Sequence, residues 1–353
     1  MQNTVEPAVT GDRQANKTVP SPMLRMANAN DLESLYDLAV AGGDGLTNLP
    51  PDRTALAAKL AASEQALISS EAREEGAAIL MIVELDGQVA ATCCVFPKVG
   101  ANWPFYSYRV TRQVSRSLAI GKRKVQTLLN LVNDFDGECE VGGLFVGPEF
   151  RGLAIGKLAA KARYLFIATH RDWFGRKVIA ELRGFQDQRG NSPVWEAIGR
   201  HFYDMNFSEA DRTGALAGNQ FIADLGPRYP LYISMLPENA RDALGKPHDD
   251  GRAALQMLVD EGFDVEDYID IFDGGPTVVC DIDKVRSVRE SCRTTVNRIE
   301  TDLAFPKMSL VASGSGAQFR VARGTVDSTG CINHALAKTL TLRPGDAFVH
   351  IPI

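Results

Sequence analysis

Residues 139–174 read CEVGGLFVGPEFRGLAIGKLAAKARYLFIATHRDWF, and this stretch decides the fold. An apolar strand at 141–146 runs into a Gly147-Pro148 turn, then into Arg151-Gly152-Leu153-Ala154-Ile155-Gly156. Apolar residues at helical spacing continue through Ile167 and Ala168. Strand, small-residue turn and long helix in that order bring an open backbone to a helix N-terminus. Small side chains let that backbone approach a diphosphate, and the free N–H groups and positive helix end receive its charge. The spacing differs from the GxGxxG of a dinucleotide fold and from the GxxxxGK[ST] of a P-loop, since Gly152 and Gly156 are four apart and Lys157 has no matching upstream pattern.

This turn resembles the acyl-CoA pyrophosphate motif of GNAT acyltransferases, Arg/Gln-x-x-Gly-x-Gly/Ala. Arg151, Ala154 and Gly156 fill its positions, with alanine in place of the middle glycine. The resemblance ranks acyl-CoA above NAD or a hydrolysed nucleotide. It implies that Arg151, Gly152, Leu153, Ala154, Ile155, Gly156 and Lys157 meet the cofactor phosphates, and that a strand N–H among Leu144, Phe145 and Val146 polarises the acyl carbonyl.

Outward from this centre the chain has an ordinary globular composition. It holds 353 residues, 45% hydrophobic and 23% charged, with 44 acids against 38 bases for a net charge of −6. That balance argues against bulk nucleic-acid or anionic-membrane binding and leaves room for an anionic cosubstrate. No apolar run approaches the ~18 residues of a spanning helix, and residues 1–22 lack a signal-like core. Six cysteines without a CxxC pair read as reduced thiols, so the expected setting is cytoplasmic, with no metal site.

Residues 1–22 read as a loose extension. A helix follows near Asp31 and a second spans Asp52 to Ser70; a hairpin then turns at Asp86-Gly87. Residues 109–124 carry six bases and no acid, a charged face of unassigned structure. VIAELRGF reads as a parallel strand ending near Arg183. Val194 to Met205 reads as one helix with Phe207 opening a strand, and residues beyond Val288 suggest short strands around a Pro-Gly-Asp turn.

Several spaced segments then narrow the resemblance. FYSYRV at 105–110, VGGLFVGPEFRGLAIGKL, AELRG at 180–184, SPVWEAIGRHFYDMNF, FIADLGPRYPLYISMLP and EGFDVEDYIDIFDGGPTV are similar, in that order, to the arginine N-succinyltransferase family. The resemblance spans about Met23 to Val288. It implies an α/β (α+β) chain with a GNAT-like core and a mixed, largely antiparallel sheet at 23–288, leaving a small C-terminal β element at 289–353. It also implies transfer of succinyl from succinyl-CoA, as cosubstrate and with no tightly bound cofactor, to the α-amino group of L-arginine. A homodimer or a heteromer with a related subunit would follow, with no nucleic-acid or membrane partner. A related transferase acting on ornithine or another basic amine, or a noncatalytic regulatory subunit, are the alternatives.

Direct attack of a neutral amine on a thioester needs a proton acceptor, an oxyanion donor and a proton for the departing thiolate. Glu181, flanked by Ala180 and Leu182, and His201, on the helix before Phe202, are both candidate acceptors. Tyr203, Cys139 and water are the candidate thiolate acids; Tyr203 stands one place late relative to the tyrosine of GNAT enzymes. His170 and His248 receive no catalytic role. Arg109, Arg151 and Arg183 suit the anionic groups of succinyl-CoA, and Tyr106, Tyr108 and Arg109 suit its terminal carboxylate. Asp270 and Asp273, in the acidic run 259–273, suit a guanidinium.

Overall fold

The computed structural model describes residues 21–43, 46 and 48–353. Most of the extension expected at 1–22 therefore lies outside the described residues. The strands are β1 (Met23–Met26), β2 (Ile79–Leu85), β3 (Gln88–Phe96), β4 (Ser107–Ser117), β5 (Lys122–Val132), β6 (Cys139–Val146), β7 (Lys177–Glu181) and β8 (Leu231–Tyr232). They continue as β9 (Asp264–Asp270), β10 (Pro276–Asp281), β11 (Cys292–Thr295), β12 (Ile299–Glu300), β13 (Lys307–Ser313), β14 (Arg320–Val326), β15 (Ile332–Asn333) and β16 (Ala347–Pro352). All join one sheet in the order β11-β16-β13-β14-β1-β2-β3-β6-β7-β10-β9-β4-β5-β8, with β12 and β15 beside β14. Among these strands the pairings are antiparallel except β6 with β7 and β12 with β15.

Local chemistry explains the elements. The β2–β3 hairpin turns on Asp86 and Gly87, both at positive φ (53° and 77°), the primed turn whose twist matches its strands. Asp52 caps the helix Arg53–Ile68 by accepting the Ala55 N–H at 2.8 Å. Helix Ile155–Thr169 buries Leu158, Ala162, Leu165 and Phe166 against β3 and the strands around it. Among the described residues no helix is long and apolar enough to cross a membrane.

β1 is the joint of the sheet. It pairs with β2 through Met23–Met26 and with β14 through Met23–Arg25, so the strands of 289–353 extend the same sheet. Leu310, Phe319, Val321 and Ile351 share one apolar core with Ile155, Leu158 and Phe166. Arg25 braces the joint: its guanidinium binds Asp31 through two hydrogen bonds at 2.8 Å and Glu84 at 3.0 Å.

Several local expectations give way. Residues 193–205 form two short helices, Pro193–Ala197 and Gly199–Tyr203, broken at Ile198 (φ −126°, ψ −73°). Phe207 opens the helix Phe207–Ala217 and no strand, because Asn206 and Glu209 close a reciprocal capping box. His334–Leu340 is a helix capped by Asn333 in a region read as alternating strand. The basic run 109–124 belongs to the β4–β5 hairpin, eleven residues on each side, whose Leu118–Gly121 turn lacks an Asn-Gly or Asp-Gly signal.

Removing residues 289–353 should uncover the β14-facing edge of β1 and the apolar floor beneath helix Ile155–Thr169. The truncated chain is expected to lose its cooperative thermal transition in circular dichroism. An unchanged melting temperature would show that the core stands without those strands.

Candidate active site

β6 and β7 run side by side for only two residue pairs, Cys139 with Val178 and Glu140 with Ile179. Beyond them the strands diverge. The gap opens into a cavity of about 920 Å³, with Val141, Gly142, Gly143 and Leu144 on one wall and Ala180, Glu181, Leu182 and Arg183 on the other. At the same level β6 slips against β3: Cys94 pairs with Gly142 but Thr92 with Phe145, so Gly143 and Leu144 together face Cys93. Such a bulge leaves backbone groups without a ladder partner. Gly143 permits it, with φ +58° and a Cβ that would lie 2.9 Å from the Cys94 sulfur. Of Leu144, Phe145 and Val146, Leu144 lines the cavity, whereas Phe145 and Val146 have regained register with Thr92 and Ala91.

The turn after β6 carries left-handed conformations at Gly152 (φ 85°) and Ala154 (φ 56°), and Ala154 caps helix Ile155–Thr169 without a side-chain bond. The N–H groups of Ile155, Gly156 and Lys157 thus lack intrahelical acceptors. Arg151, Gly152, Leu153 and Ala154 are exposed. Arg323 of β14, absent from the sequence reading, reaches this turn and donates to the Ala154 carbonyl at 2.7 Å. Only the sheet's closure through β1 brings it there.

Four carboxyls gather at the other end. Glu140, Glu181, Asp270 and Asp273 all line the cavity. Burial raises Glu140 to about 7, against the pull of the nearby Arg163 guanidinium. Glu181 keeps partial exposure because it faces the cavity, yet burial, then Asp270 and Glu140, push it well above the usual range. Asp270 rises through burial and its neighbour Asp273. Asp273 is raised by burial against the N–H groups of Gly184 and Gly275, which it accepts at 2.7 and 2.9 Å. Like charges this close and this deep each raise the others' affinity for protons. Asp270 also holds the turn after β9 by accepting the N–H of Phe272 and Asp273.

The remaining sequence candidates are scattered. His201 is exposed on its short helix and is not among the cavity-lining residues. Tyr203 is packed in the core, stacked on Trp195 at 5.4 Å, and burial lifts its phenol to about 12. Tyr108 is buried in the same cluster, with its phenol pushed up by desolvation, and Tyr106 packs against that cluster. Arg109 is exposed and pairs with Asp134 at 3.4 Å. Arg183 lines the cavity and donates to Gln186. Cys139 is buried, and desolvation keeps it a thiol.

His248 lies in a loop beside the cavity wall and is not among the residues that line the cavity. Its backbone N–H donates to the Arg183 carbonyl at 2.7 Å, and Pro247 bridges Gly184, which ties the loop to the cavity wall. The Asp250 N–H donates to its Nδ1 at 3.3 Å, and the Asp250 carboxylate lies 3.7 Å from the same nitrogen. No local pattern in sequence announces this, because the tie is made by residues far apart in the chain. Of the other histidines, His170 is a buried strut, bonded to the Phe166 carbonyl and the Gly316 N–H.

A bulged strand diverging from its parallel neighbour, with a helix opening from the bulged strand's end, defines a GNAT-like acyltransferase. The chain matches the family "Arginine N-succinyltransferase beta subunit" over residues 22–287. Arginine N-succinyltransferase subunit beta of Pseudomonas aeruginosa is 40% identical over 270 residues, covering 76% of this chain and 79% of that protein. Arginine N-succinyltransferase of Escherichia coli O139:H28 is 36% identical over 309 residues, 86% and 89% of the two chains. The solved structure of arginine/ornithine succinyltransferase subunit AI from Pseudomonas aeruginosa superposes with a TM-score of 0.83 at 28% identity, covering 94% of this chain and 99% of that one. The chain belongs to the arginine N-succinyltransferase family.

The raised Glu140 carboxyl carries a pH signature. Its proton is held more tightly folded than unfolded, so its contribution to stability is complete below about 4.5 and lost as pH rises through about 7. Glu140→Gln removes that dependence. The stability gap between variant and wild type should therefore shift in the variant's favour by about 3 kcal/mol between pH 4.5 and 8. Urea titrations across that range measure it; a gap that stays constant would contradict the assignment.

Proposed function

We propose that the protein transfers succinyl from succinyl-CoA to the α-amino group of L-arginine and releases CoA. The observation that carries this reading is a single cavity with an unpaired strand bulge on one wall and four carboxyls of raised proton affinity within it. Family membership supports the reaction, and the cavity supports a cationic acceptor.

In this reading the CoA diphosphate lies along Arg151–Lys157, at the open N–H groups of the helix start. The thioester carbonyl points at the bulge, where a Gly143 or Leu144 N–H receives the developing oxyanion. The arginine side chain places its guanidinium against Asp270 and Asp273, which ionise as it binds. Glu181 lies in the cavity with an elevated affinity for protons and accepts one from the α-ammonium. The freed amine attacks the carbonyl carbon; the N–C bond forms, the C–S bond breaks, and the proton that the acylated nitrogen sheds passes to the departing thiolate. Ornithine would place a shorter ammonium at the same carboxylates, a second acceptor supported by the likeness to the arginine/ornithine succinyltransferase subunit AI of Pseudomonas aeruginosa. A second copy or a related subunit is the expected partner, in a cytoplasmic setting.

Purified protein should release free CoA from succinyl-CoA with L-arginine, and more slowly with ornithine. Donor and acceptor panels followed by a thiol reagent test this; absence of release with every pair by folded protein would end the catalytic reading. Glu181→Gln should lower kcat roughly 100-fold or more, while exposed His201→Ala stays near wild type. A large loss in His201→Ala alone would instead place the proton acceptor on that helix.

A further inference from the structure

Arg163, on the third turn of helix Ile155–Thr169, is 5% exposed and lines the same cavity. Its hydrogen bonds are long: Nε to the Ala160 carbonyl at 3.5 Å and Nη1 to the Gly142 carbonyl at 3.4 Å. Nη2 has no protein acceptor, and no carboxylate among the described residues lies within ion-pair distance. Glu140 acts on it electrostatically without a bond. Its neighbours on the wall are committed or exposed. Lys161 is neutralised by Glu261 at 2.6 Å, Arg183 is exposed and bound to Gln186, and Lys157 is exposed.

A guanidinium this deep is costly unless a matching anion completes it. Its planar fork suits a carboxylate or a phosphate, and contact with Gly142 sets it one residue from the bulge, inside the cavity and away from the exposed 151–154 turn that suits a diphosphate, which favours a carboxylate. We propose that Arg163 receives a substrate carboxylate and thereby sets specificity, a reading that rests on the function above. The carboxylate is either the distal group of the acyl donor or the α-carboxylate of the acceptor. Tyr106, Tyr108 and Arg109, the residues first suggested for the succinyl carboxylate, do not line the cavity.

The test compares wild type with Arg163→Met and Arg163→Lys in the full chain, using succinyl-CoA against propionyl-CoA and arginine against its decarboxylated analogue agmatine. Arg163→Met should collapse one of these preferences by about 100-fold in kcat/KM, and the arm that collapses names the carboxylate. A loss shared equally by all pairs, or no change, overturns the proposal and shows a structural tether between helix and β6. If Arg163→Met does not fold, Arg163→Lys should raise KM about tenfold for one substrate only; equal changes in both overturn it. Should the wild type release no CoA, the function fails first, and Arg163 is then read by thermal shift. Succinate but not succinamide, or arginine but not agmatine, should stabilise wild type and not the Arg163 variants; identical shifts in both proteins overturn the assignment.

Discussion

Everything in this protein hangs on the point where β6 and β7 stop pairing. Two residue pairs hold the strands parallel, and then the extra residue in β6 turns its backbone away from the ladder. A continuous pair would have buried its N–H and C=O groups in the sheet and left no space between the strands. Divergence instead yields a cavity whose floor is sheet, whose one wall offers unpaired backbone, and whose rear is the helix that β6 itself feeds. The constraint is steric as much as electrostatic, since any side chain at position 143 would strike Cys94.

Around that gap lie buried groups of both signs. Asp270 and Asp273 are fixed by backbone N–H groups, so their proximity is maintained by the fold despite mutual repulsion. Arg163 is fixed by the helix and by Gly142, with its remaining donor directed to no protein group. Buried charged groups left incomplete in this way destabilise a fold, and such groups are enriched where stability is given up for recognition, which is the ground of the roles proposed for them.

The C-terminal strands belong to this design through β1. Because β1 pairs on both edges, β14 lies in the same sheet as β6, and Arg323 crosses to the turn at Ala154. The long β4–β5 hairpin at the far side is paired elsewhere only near its root, leaving basic edges over much of its length.

Much of this was legible in the residues. The strand, turn and helix of 139–169, the Asp86-Gly87 hairpin and the parallel strand of VIAELRGF follow from local periodicity, Pro/Gly punctuation and turn chemistry, which act over a few neighbours. The same locality explains the misreadings at Phe207 and His334, where side-chain caps outweighed the apolar pattern. Glu181, Arg183, Asp270 and Asp273 could be nominated from residue type and position, and the tertiary structure brought them into one cavity. It left His201, Tyr203, Tyr106, Tyr108 and Arg109 off its lining. Arg163, Glu140, His248 and Arg323 had no sequence signal, because their meaning arises from contacts across long chain separations: a helix over a bulge, a loop against β7, a C-terminal strand against a turn. Residue order thus determined the elements and the family, while burial and long-range pairing decided which charged groups share a cavity and which remain at the surface.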